Sequence, residues 1–266
     1  MATTQDDGLL TRAVRVLETL AGSEQPTTLP RLATRVGVST SQTYRALRAL
    51  QREGFVDHVG RQGYRLGTRA LGLGVLLEPR PEVRATTRPL LARLAVQLGL
   101  TARLHLRSGP DRILTFVALA PTEPDVPAQT VIGERARLTR GCSGRAILAH
   151  LDQAQVEEVL RHRPPDGDPR ALRAELQHIR TDGHAISHAH NHARRRGISV
   201  PLRAPDHPEP LGALSLSAPE DRIDNVGLRA LLGPLHATAD ELGRRLGTVL
   251  GPGATTHIGP LDLPTP

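Results

Sequence analysis

The chain has 266 residues, a length that fits one or two domains. It contains 34 Arg or Lys and 27 Asp or Glu, which gives a formal net charge of +7. A hydrophobic content of 38% allows a packed core. No apolar run approaches the roughly 18 residues of a membrane-spanning helix, and the polar segment from Met1 to Gly8 lacks the features of a secretory signal. The single cysteine, Cys142, excludes an internal disulfide and a multi-cysteine zinc site, so we expect a cytoplasmic protein without a membrane partner.

Positive charge is densest near the N-terminus. Residues 9–68 contain nine Arg and four acidic residues, which gives this segment a net charge of +5. Such a surplus in a small module is expected if the module binds a polyanion.

Two helices are predicted at the start of this segment. The first covers about Leu9–Ala21, because apolar residues recur there at helical spacing. The second begins after Thr28, with Pro30 in its first turn, and ends before Gly37. The apolar residues that define the face of the first helix are Leu10, Val14, Leu17 and Leu20.

A third helix is predicted from Ser39 to about Glu53. Ser39 and Gln42 have the spacing of a capping box, in which each side chain binds a free backbone N–H of the first helical turn. Gly54 follows as a stop signal. The residues expected to pack inward are Tyr44, Leu47 and Leu50.

A hairpin follows the third helix. Residues 55–58 and 64–66 are predicted strands, joined by a turn with Arg61 at its tip. Two helices, a tight turn, a third helix and an Arg-tipped hairpin form the layout of a winged helix-turn-helix over residues 9–68. The third helix of such a module fits the major groove of DNA, where Gln can pair with adenine and Arg with guanine or phosphate. The candidate DNA-binding residues are Thr40, Ser41, Gln42, Thr43, Tyr44, Arg45, Arg48 and Arg61.

The rest of the chain predicts a linker helix over 69–80 and an α+β domain over 81–247 with a mostly antiparallel sheet. Residues 1–8 and 248–266 are expected to be disordered tails. The predicted helices cover about 82–98, 145–151, 153–161, 169–181 and 225–246, and the predicted strands about 101–107, 113–120, 129–132, 184–187, 198–203 and 211–217.

Several segments, in order along residues 9–246, resemble the IclR family of bacterial transcriptional regulators. They are TRAVRVLETLAG, LPRLATRVGVSTSQTYRALRALQREGFV, GYRLG, IGERARLTRGCSGRAILAHL, DGHAIS and ISVPLRAP with LGALSLSAPEDRI. The resemblance implies a winged helix-turn-helix, a linker helix and a GAF-like ligand-sensing domain without a cofactor. It also implies a homodimer or dimer of dimers that binds double-stranded operator DNA and a small-molecule effector, and we expect a repressor in preference to an activator. Tyr44 and Arg45 match the family pattern, whereas Gln42 stands where Thr is more usual.

An effector site is predicted around the segment Gly141–Gly144, which precedes a helix and offers free backbone N–H groups to an anion. The resemblance implies that the amides of Cys142 and Ser143 hold a carboxylate. The simpler alternative is a helix cap. The resemblance also places Ser215 and Ser217 at the pocket edge, and Ser187 and Gly197 where small-acid sensors tend to carry an acidic residue and a cysteine. These departures favour an effector larger or less polar than pyruvate or glyoxylate.

Other functions remain as alternatives. Strand geometry would place His188, His190 and His192 on one face, where three imidazoles could hold a metal ion or respond to pH, although a solvated loop is the simpler explanation. Cys142 could be a reactive thiol at a helix N-terminus or a buried apolar residue. A GAF-fold enzyme is disfavoured, because no nucleophile elbow, phosphate loop or paired-carboxylate motif is present. A purely architectural DNA-binding protein would not need a second domain with a cleft.

Overall fold

The computed structural model describes residues 8–22, 26–70, 72, 81–121, 132–162, 164–188 and 195–250. These residues belong to two compact units, which divide between positions 78 and 79. None of the helices within these ranges is both long enough and apolar enough to cross a membrane.

The first unit has three helices followed by an antiparallel hairpin whose turn is a 3-10 helix at Gly60–Gln62. The predicted winged helix-turn-helix order is confirmed. Its elements are α1 (Leu9–Ala21), α2 (Leu29–Val36), α3 (Thr40–Arg52), β1 (Val56–His58) and β2 (Tyr64–Leu66).

The buried faces of α1 and α3 differ from the predicted ones. In α1, Leu10 is 78% exposed and Val14 is also exposed, because the helix packs against the rest of the unit through Ala13, Val16 and Leu20. In α3, Tyr44 was predicted to pack inward but is 45% exposed. Thr43 is buried in its place. The prediction followed the largest apolar side chains, whereas close helix packing selects the small ones. The residues buried in these two helices are Ala13, Val16, Leu20, Thr43, Ala46, Leu47 and Leu50.

The hairpin is attached to the helical part of the unit by a short bridge. Thr27 exchanges two backbone hydrogen bonds with Tyr64, with N···O distances of 2.8 and 2.9 Å. Gly63 makes this bridge possible: its φ is +104°, and a Cβ atom there would clash with the Thr27 carbonyl and lie 2.8 Å from the Thr28 Cα. This backbone conformation is essentially restricted to glycine.

The second unit is built on a six-stranded sheet in which all neighbouring strands are antiparallel, in the order β5-β4-β3-β8-β7-β6. This confirms the predicted α+β class. The strands are β3 (Thr101–Ser108), β4 (Asp111–Ala118), β5 (Arg135–Arg137), β6 (Ala185–His188), β7 (Arg195–Leu202) and β8 (Gly212–Pro219); the helices are α4 (Pro81–Leu98), α5 (Gly141–Leu148), α6 (Gln153–His162), α7 (Pro169–Asp182), α8 (Glu220–Val226) and α9 (Leu228–Leu250).

The two faces of this sheet have opposite character because side chains alternate along each strand. On one face, Leu104, Val200 and Leu214 join the apolar core formed with α4 and α9. On the other face, a smaller core with α5, α6 and α7 adjoins polar positions of the same strands. The polar positions at the centre of that face are Arg103, His105, Ser199, Ser215 and Ser217.

Several elements differ from the sequence prediction. The structure has a strand at Arg135–Arg137 that was not predicted, whereas residues 129–131 of the predicted strand lie outside the described residues. The predicted last helix is two helices, since Gly227 has a φ of +81° between them, and α9 extends to Leu250 rather than 246. Most of the predicted linker helix and of both predicted tails also lies outside the described residues.

Replacing Gly63 by Ala is expected to destabilise the first unit by at least about 2 kcal/mol, because the new Cβ atom adds a backbone clash to an unfavourable φ. The chain has two Tyr and no Trp, and both tyrosines belong to this unit, so tyrosine fluorescence in urea follows its unfolding alone. Gly60→Ala is the matched control, since Gly60 also has a positive φ of +57° but open space around it. Equal losses in the two variants would contradict the role assigned to the Thr27 bridge.

Candidate functional site

The N-terminus of α3 is held by the predicted capping box, which the structure confirms. The Gln42 backbone N–H donates to the Ser39 Oγ (3.2 Å), and the Ser39 N–H donates to the Gln42 Oε1 (3.3 Å). This arrangement restricts Gln42, because pairing with adenine through both groups of its amide requires the same Oε1 atom. The cap would therefore have to open before Gln42 could read adenine in that way.

The exposed side of α3 carries most of the predicted DNA-binding residues. Thr43 is an exception: it is fully buried, and its hydroxyl donates to the Ser39 carbonyl at 3.0 Å. A direct DNA contact from Thr43 is therefore wrong, and its role is to satisfy a polar group inside the helical core. The exposed candidates on this helix are Thr40, Ser41, Gln42, Tyr44, Arg45 and Arg48.

The wing, which is the hairpin formed by β1 and β2, lies beside this helix and adds a positive charge. Burial raises the pKa of the Tyr64 hydroxyl in β2, and Tyr44 and Arg48 of α3 also act on it electrostatically, so β2 borders the exposed side of α3. Arg61 is exposed in the turn of the hairpin. Arg45, Arg48 and Arg61 form no salt bridge with another described residue, which leaves their charges available to a polyanion.

A cavity of about 60 Å³ in the second unit brings together all six residues predicted for the effector site. It lies between the polar face of the sheet and the N-terminus of α5. The six residues are Cys142, Ser143, Ser187, Gly197, Ser215 and Ser217.

Sheet register explains why these positions meet. Ser187, Gly197 and Ser217 lie directly opposite one another on β6, β7 and β8. Gly197 allows α5 to approach this row closely, since a Cβ atom there would lie 2.7 Å from the Cys142 Sγ and 3.0 Å from the Ser187 Oγ. Because residue 197 is glycine, the space that a side chain would occupy remains part of the cavity.

Five charged or titratable residues of the cavity were missed by sequence reasoning. They are Arg103, His105, Arg112, Arg195 and Arg196. The alternation of apolar and polar residues in Ala102–Arg107 could have revealed the first two, because it predicts a polar sheet face. Arg112 depends instead on a register shift between β3 and β4, after which it lies opposite Arg107. A shift of this kind changes the face to which a strand's side chains point, so Arg112 joins the face of Arg103 and His105.

Arg112 is unusual for a charged side chain. It is 2% exposed, and its Nε and Nη1 atoms have no hydrogen-bond partner among the described residues. Burial lowers its pKa, whereas Cys142 and Glu134 raise it. The guanidinium nevertheless remains charged in a protein.

His105 is buried beside these cations. Burial lowers its pKa well below the ordinary value, and Arg112 and Arg103 lower it further, so the imidazole is neutral at physiological pH. Its Nδ1 lies 3.5 Å from the Ser215 Oγ, which is 2.9 Å from the Ser199 Oγ. Ser199 in turn donates to the Leu214 carbonyl at 3.2 Å. This chain of hydrogen bonds fixes the imidazole ring and the two hydroxyl groups.

Cys142 has the environment of a protonated thiol. Burial raises its pKa above the ordinary value, although Ser187, Arg112 and the backbone amides of Ser143 and Cys142 act in the opposite direction. A thiol that stays protonated is a weak nucleophile. These surroundings therefore favour the packing interpretation of Cys142 over the reactive one.

The cavity does not match the expectation of a larger or less polar effector. Its volume of about 60 Å³ is far below the roughly 300–1,000 Å³ of pockets that hold drug-sized ligands. Among the residues that the structure describes, four Arg and four Ser line it, so the lining is mainly polar.

Most of the predicted histidine cluster lies outside the described residues. His190 and His192 lie outside the described residues, and His188 is described only as a backbone position at the end of β6. Within the part of the chain that is described, no group of three or more His, Cys, Asp or Glu side chains could hold a metal ion.

Comparison with known proteins gives a consistent result for both units. The family described as the C-terminal domain of the bacterial transcriptional regulator IclR matches residues 79–244, and the IclR helix-turn-helix domain matches residues 9–60. The chain is 26% identical over 249 residues to the transcriptional repressor IclR of Escherichia coli K12, which covers 89% of this chain and 90% of that protein. It is 30% identical over 216 residues to a helix-turn-helix regulator of Mycobacterium tuberculosis, with coverage of 76% and 82%.

Solved structures agree with the sequence relatives. A regulator described as IclR-type from Silicibacter sp. TM1040 has a TM-score of 0.68 and 28% identity, and covers 95% of this chain and 100% of its own. An IclR homologue from Microbacterium hydrocarbonoxydans, solved in complex with 4-hydroxybenzoate, has a TM-score of 0.66 at 22% identity, with coverage of 91% and 100%. At this lower identity the likeness concerns the fold alone.

The low pKa of His105 predicts how the stability of the protein responds to acid. The unfolded chain regains the ordinary imidazole pKa, so below about pH 6.5 it binds more protons than the folded chain and stability falls. His105→Gln is expected to lose less stability than the wild type between about pH 7 and pH 5, measured by urea unfolding with circular dichroism. His178→Gln, at an exposed position of α7, is the matched control. Parallel pH profiles for the wild type and His105→Gln would show that this imidazole does not titrate as described.

Proposed function

The chain belongs to the IclR family of bacterial transcriptional regulators, and we propose that it represses transcription by binding operator DNA under the control of a small-molecule effector. DNA-binding regulation, rather than catalysis, is the activity of this family. Two relatives with matches of similar extent are named as repressors, the E. coli protein and the acetate operon repressor of Salmonella typhimurium. As a regulator of chromosomal genes, the protein would act in the cytoplasm.

The exposed side of α3 is the observation that carries this proposal. Small polar residues at its first turn and Arg45 and Arg48 further along face solvent, and the wing adds Arg61. A helix of this kind reaches base edges with its first turns, while Arg residues around it bind phosphates. The nearby acidic residues Asp57 and Glu53 are already paired with Arg65 and Arg69, so they offset these cations only weakly.

Effector control is supported by the cavity in the second unit. It contains polar side chains and the N-terminus of α5, and it lies in a different compact unit from α3. The related Microbacterium protein binds a small aromatic acid, which supports the same general role for this domain. A ligand can change DNA binding only if it binds the DNA-competent and DNA-incompetent states with different affinity.

We propose a homodimer, or a dimer of dimers, as the active form. Two winged modules would then bind a palindromic operator, with half-sites separated by about one helical turn or a multiple of it. Light scattering combined with a DNA titration would give the number of chains per operator.

Removing Arg48 tests the DNA interface. Arg48→Ala is expected to weaken binding to the DNA upstream of the chain's own gene by about 1–3 kcal/mol, and to reduce the dependence of affinity on salt. Fluorescence anisotropy at several salt concentrations measures both quantities. Arg93→Ala is the control with the same charge change, because Arg93 is exposed on α4 and pairs with Glu241.

The proposal would be contradicted if wild-type affinity did not change between low and physiological salt. It would also be contradicted if Arg48→Ala and Arg93→Ala bound this DNA equally well, since α3 would then not be the docking element.

A further inference from the structure

We propose that Gln42, held by the cap of α3, offers only N–H donors to DNA and therefore selects guanine rather than adenine at the base pair that it contacts. The inference rests on the proposed function, since it names the base that one residue of α3 would read. It is the opposite of the pairing with adenine that the residue type alone suggests.

The orientation of the Gln42 amide is fixed by Ser39. The Ser39 backbone N–H donates to the Gln42 Oε1 at 3.3 Å, and the Ser39 hydroxyl donates to the same atom at 3.1 Å. A backbone N–H can only donate, so the atom that faces it must be the amide oxygen and not the amide nitrogen. The Nε2 group is left without a hydrogen-bond partner among the described residues, and the Gln42 side chain is exposed.

The Gln42 Oε1 has no acceptor capacity left for DNA in this arrangement. A carbonyl oxygen has two lone pairs, and here both face donors of Ser39. Other bonds hold Ser39 itself: its Oγ accepts from the Gln42 backbone N–H at 3.2 Å, and its carbonyl accepts from the Thr43 hydroxyl at 3.0 Å. Gln42 is therefore a hydrogen-bond donor toward DNA as long as the cap is intact.

The base edges in the major groove distinguish such a donor from a free glutamine amide. Adenine presents an acceptor beside a donor, whereas guanine presents two acceptors, N7 and O6. Thymine presents one acceptor beside a methyl group, and cytosine presents a donor. The two N–H bonds of the Gln42 Nε2 group match guanine, whereas the N6 donor of adenine would lose its partner on burial, which is unfavourable.

Opening the cap would restore the pairing with adenine, but at a cost. Loss of an N-cap weakens a helix by about 2- to 30-fold in its folding equilibrium, whereas a good bidentate pair discriminates between bases by about 5- to 150-fold. The cost removes much of the gain. The donor group needs no such opening, because Gln42 lies in the first turn of α3, from which a helix of this kind reaches base edges.

Selection of binding sites from randomised variants of the chain's own upstream DNA tests the inference. The full-length wild type is compared with Gln42→Ala, and the base pair whose preference changes is the one that Gln42 contacts. We expect the wild type to prefer guanine over adenine there by about fivefold or more.

Gln42→Glu separates the donor group from the cap. Glu at this position can also complete a capping box, but its carboxylate has no N–H group. We expect it to lose the preference for guanine and to favour cytosine, which presents a donor. Gln97→Glu, at an exposed position of α4, is the control with the same charge change and should keep the wild-type profile. Tyrosine fluorescence in urea checks that each α3 variant keeps the first unit folded.

Ser39→Ala tests whether the cap sets the preference. It removes the hydroxyl that occupies one lone pair of the Gln42 Oε1, so the ratio of guanine to adenine binding is expected to fall by about twofold or more. A residue that only stabilises the helix would lower the affinity for all sequences alike and leave this ratio unchanged.

The inference and the proposed function can fail separately. A wild-type preference for adenine at this base pair would overturn the inference, and so would an unchanged profile in Gln42→Ala or Gln42→Glu, or an unchanged ratio in Ser39→Ala. Each of these results would leave DNA binding by the protein intact. A wild type that did not bind its upstream DNA at all would overturn the proposed function, and this inference with it.

Discussion

The buried guanidinium of Arg112 is the constraint around which the second unit is organised. The register shift between β3 and β4 directs it to the polar side of the sheet, and α5 closes over the same side. Gly197 permits that closure, since any larger residue would meet the Cys142 sulfur. The opposite side of the sheet packs against α4 and α9 in an apolar core. The stability of this core can offset the unfavourable free energy of burying the Arg112 guanidinium. The apolar core and the charged residues are therefore separated onto the two faces of one sheet.

The same residue type has a different role in the first unit. Arg45, Arg48 and Arg61 are exposed, so their charges remain solvated at little cost and attract a polyanion over a long range. Their placement depends on α3, whose first turn is fixed by Ser39 and Gln42 and whose buried side includes the satisfied hydroxyl of Thr43. An exposed array of cations suits the extended phosphate backbone of DNA.

The sequence predicted those features that depend on local pattern. The capping box, the hairpin after Gly54 and the alternating strands of the second unit follow from residues close together in the chain. The inward faces of α1 and α3 could not be predicted as well, because packing selected Ala13 and Thr43 over larger neighbours. Resemblance supplied the six effector-site positions that meet at the cavity, but the cationic character of that cavity was missed. Arg103 and His105 could have been recognised from the alternation in Ala102–Arg107, whereas Arg112 depends on a register shift that no local pattern reveals.

The central claim is that α3, with Arg45, Arg48 and Arg61 around it, is the element that binds operator DNA. The most direct measurement is the dissociation constant for the chain's own upstream DNA at low and at physiological salt, in the wild type and in Arg48→Ala. The account predicts that the wild type binds about fivefold or more tighter than the variant and loses affinity as the salt concentration rises. Equal affinity of the two proteins, or a wild-type affinity that does not change with salt, would contradict the account.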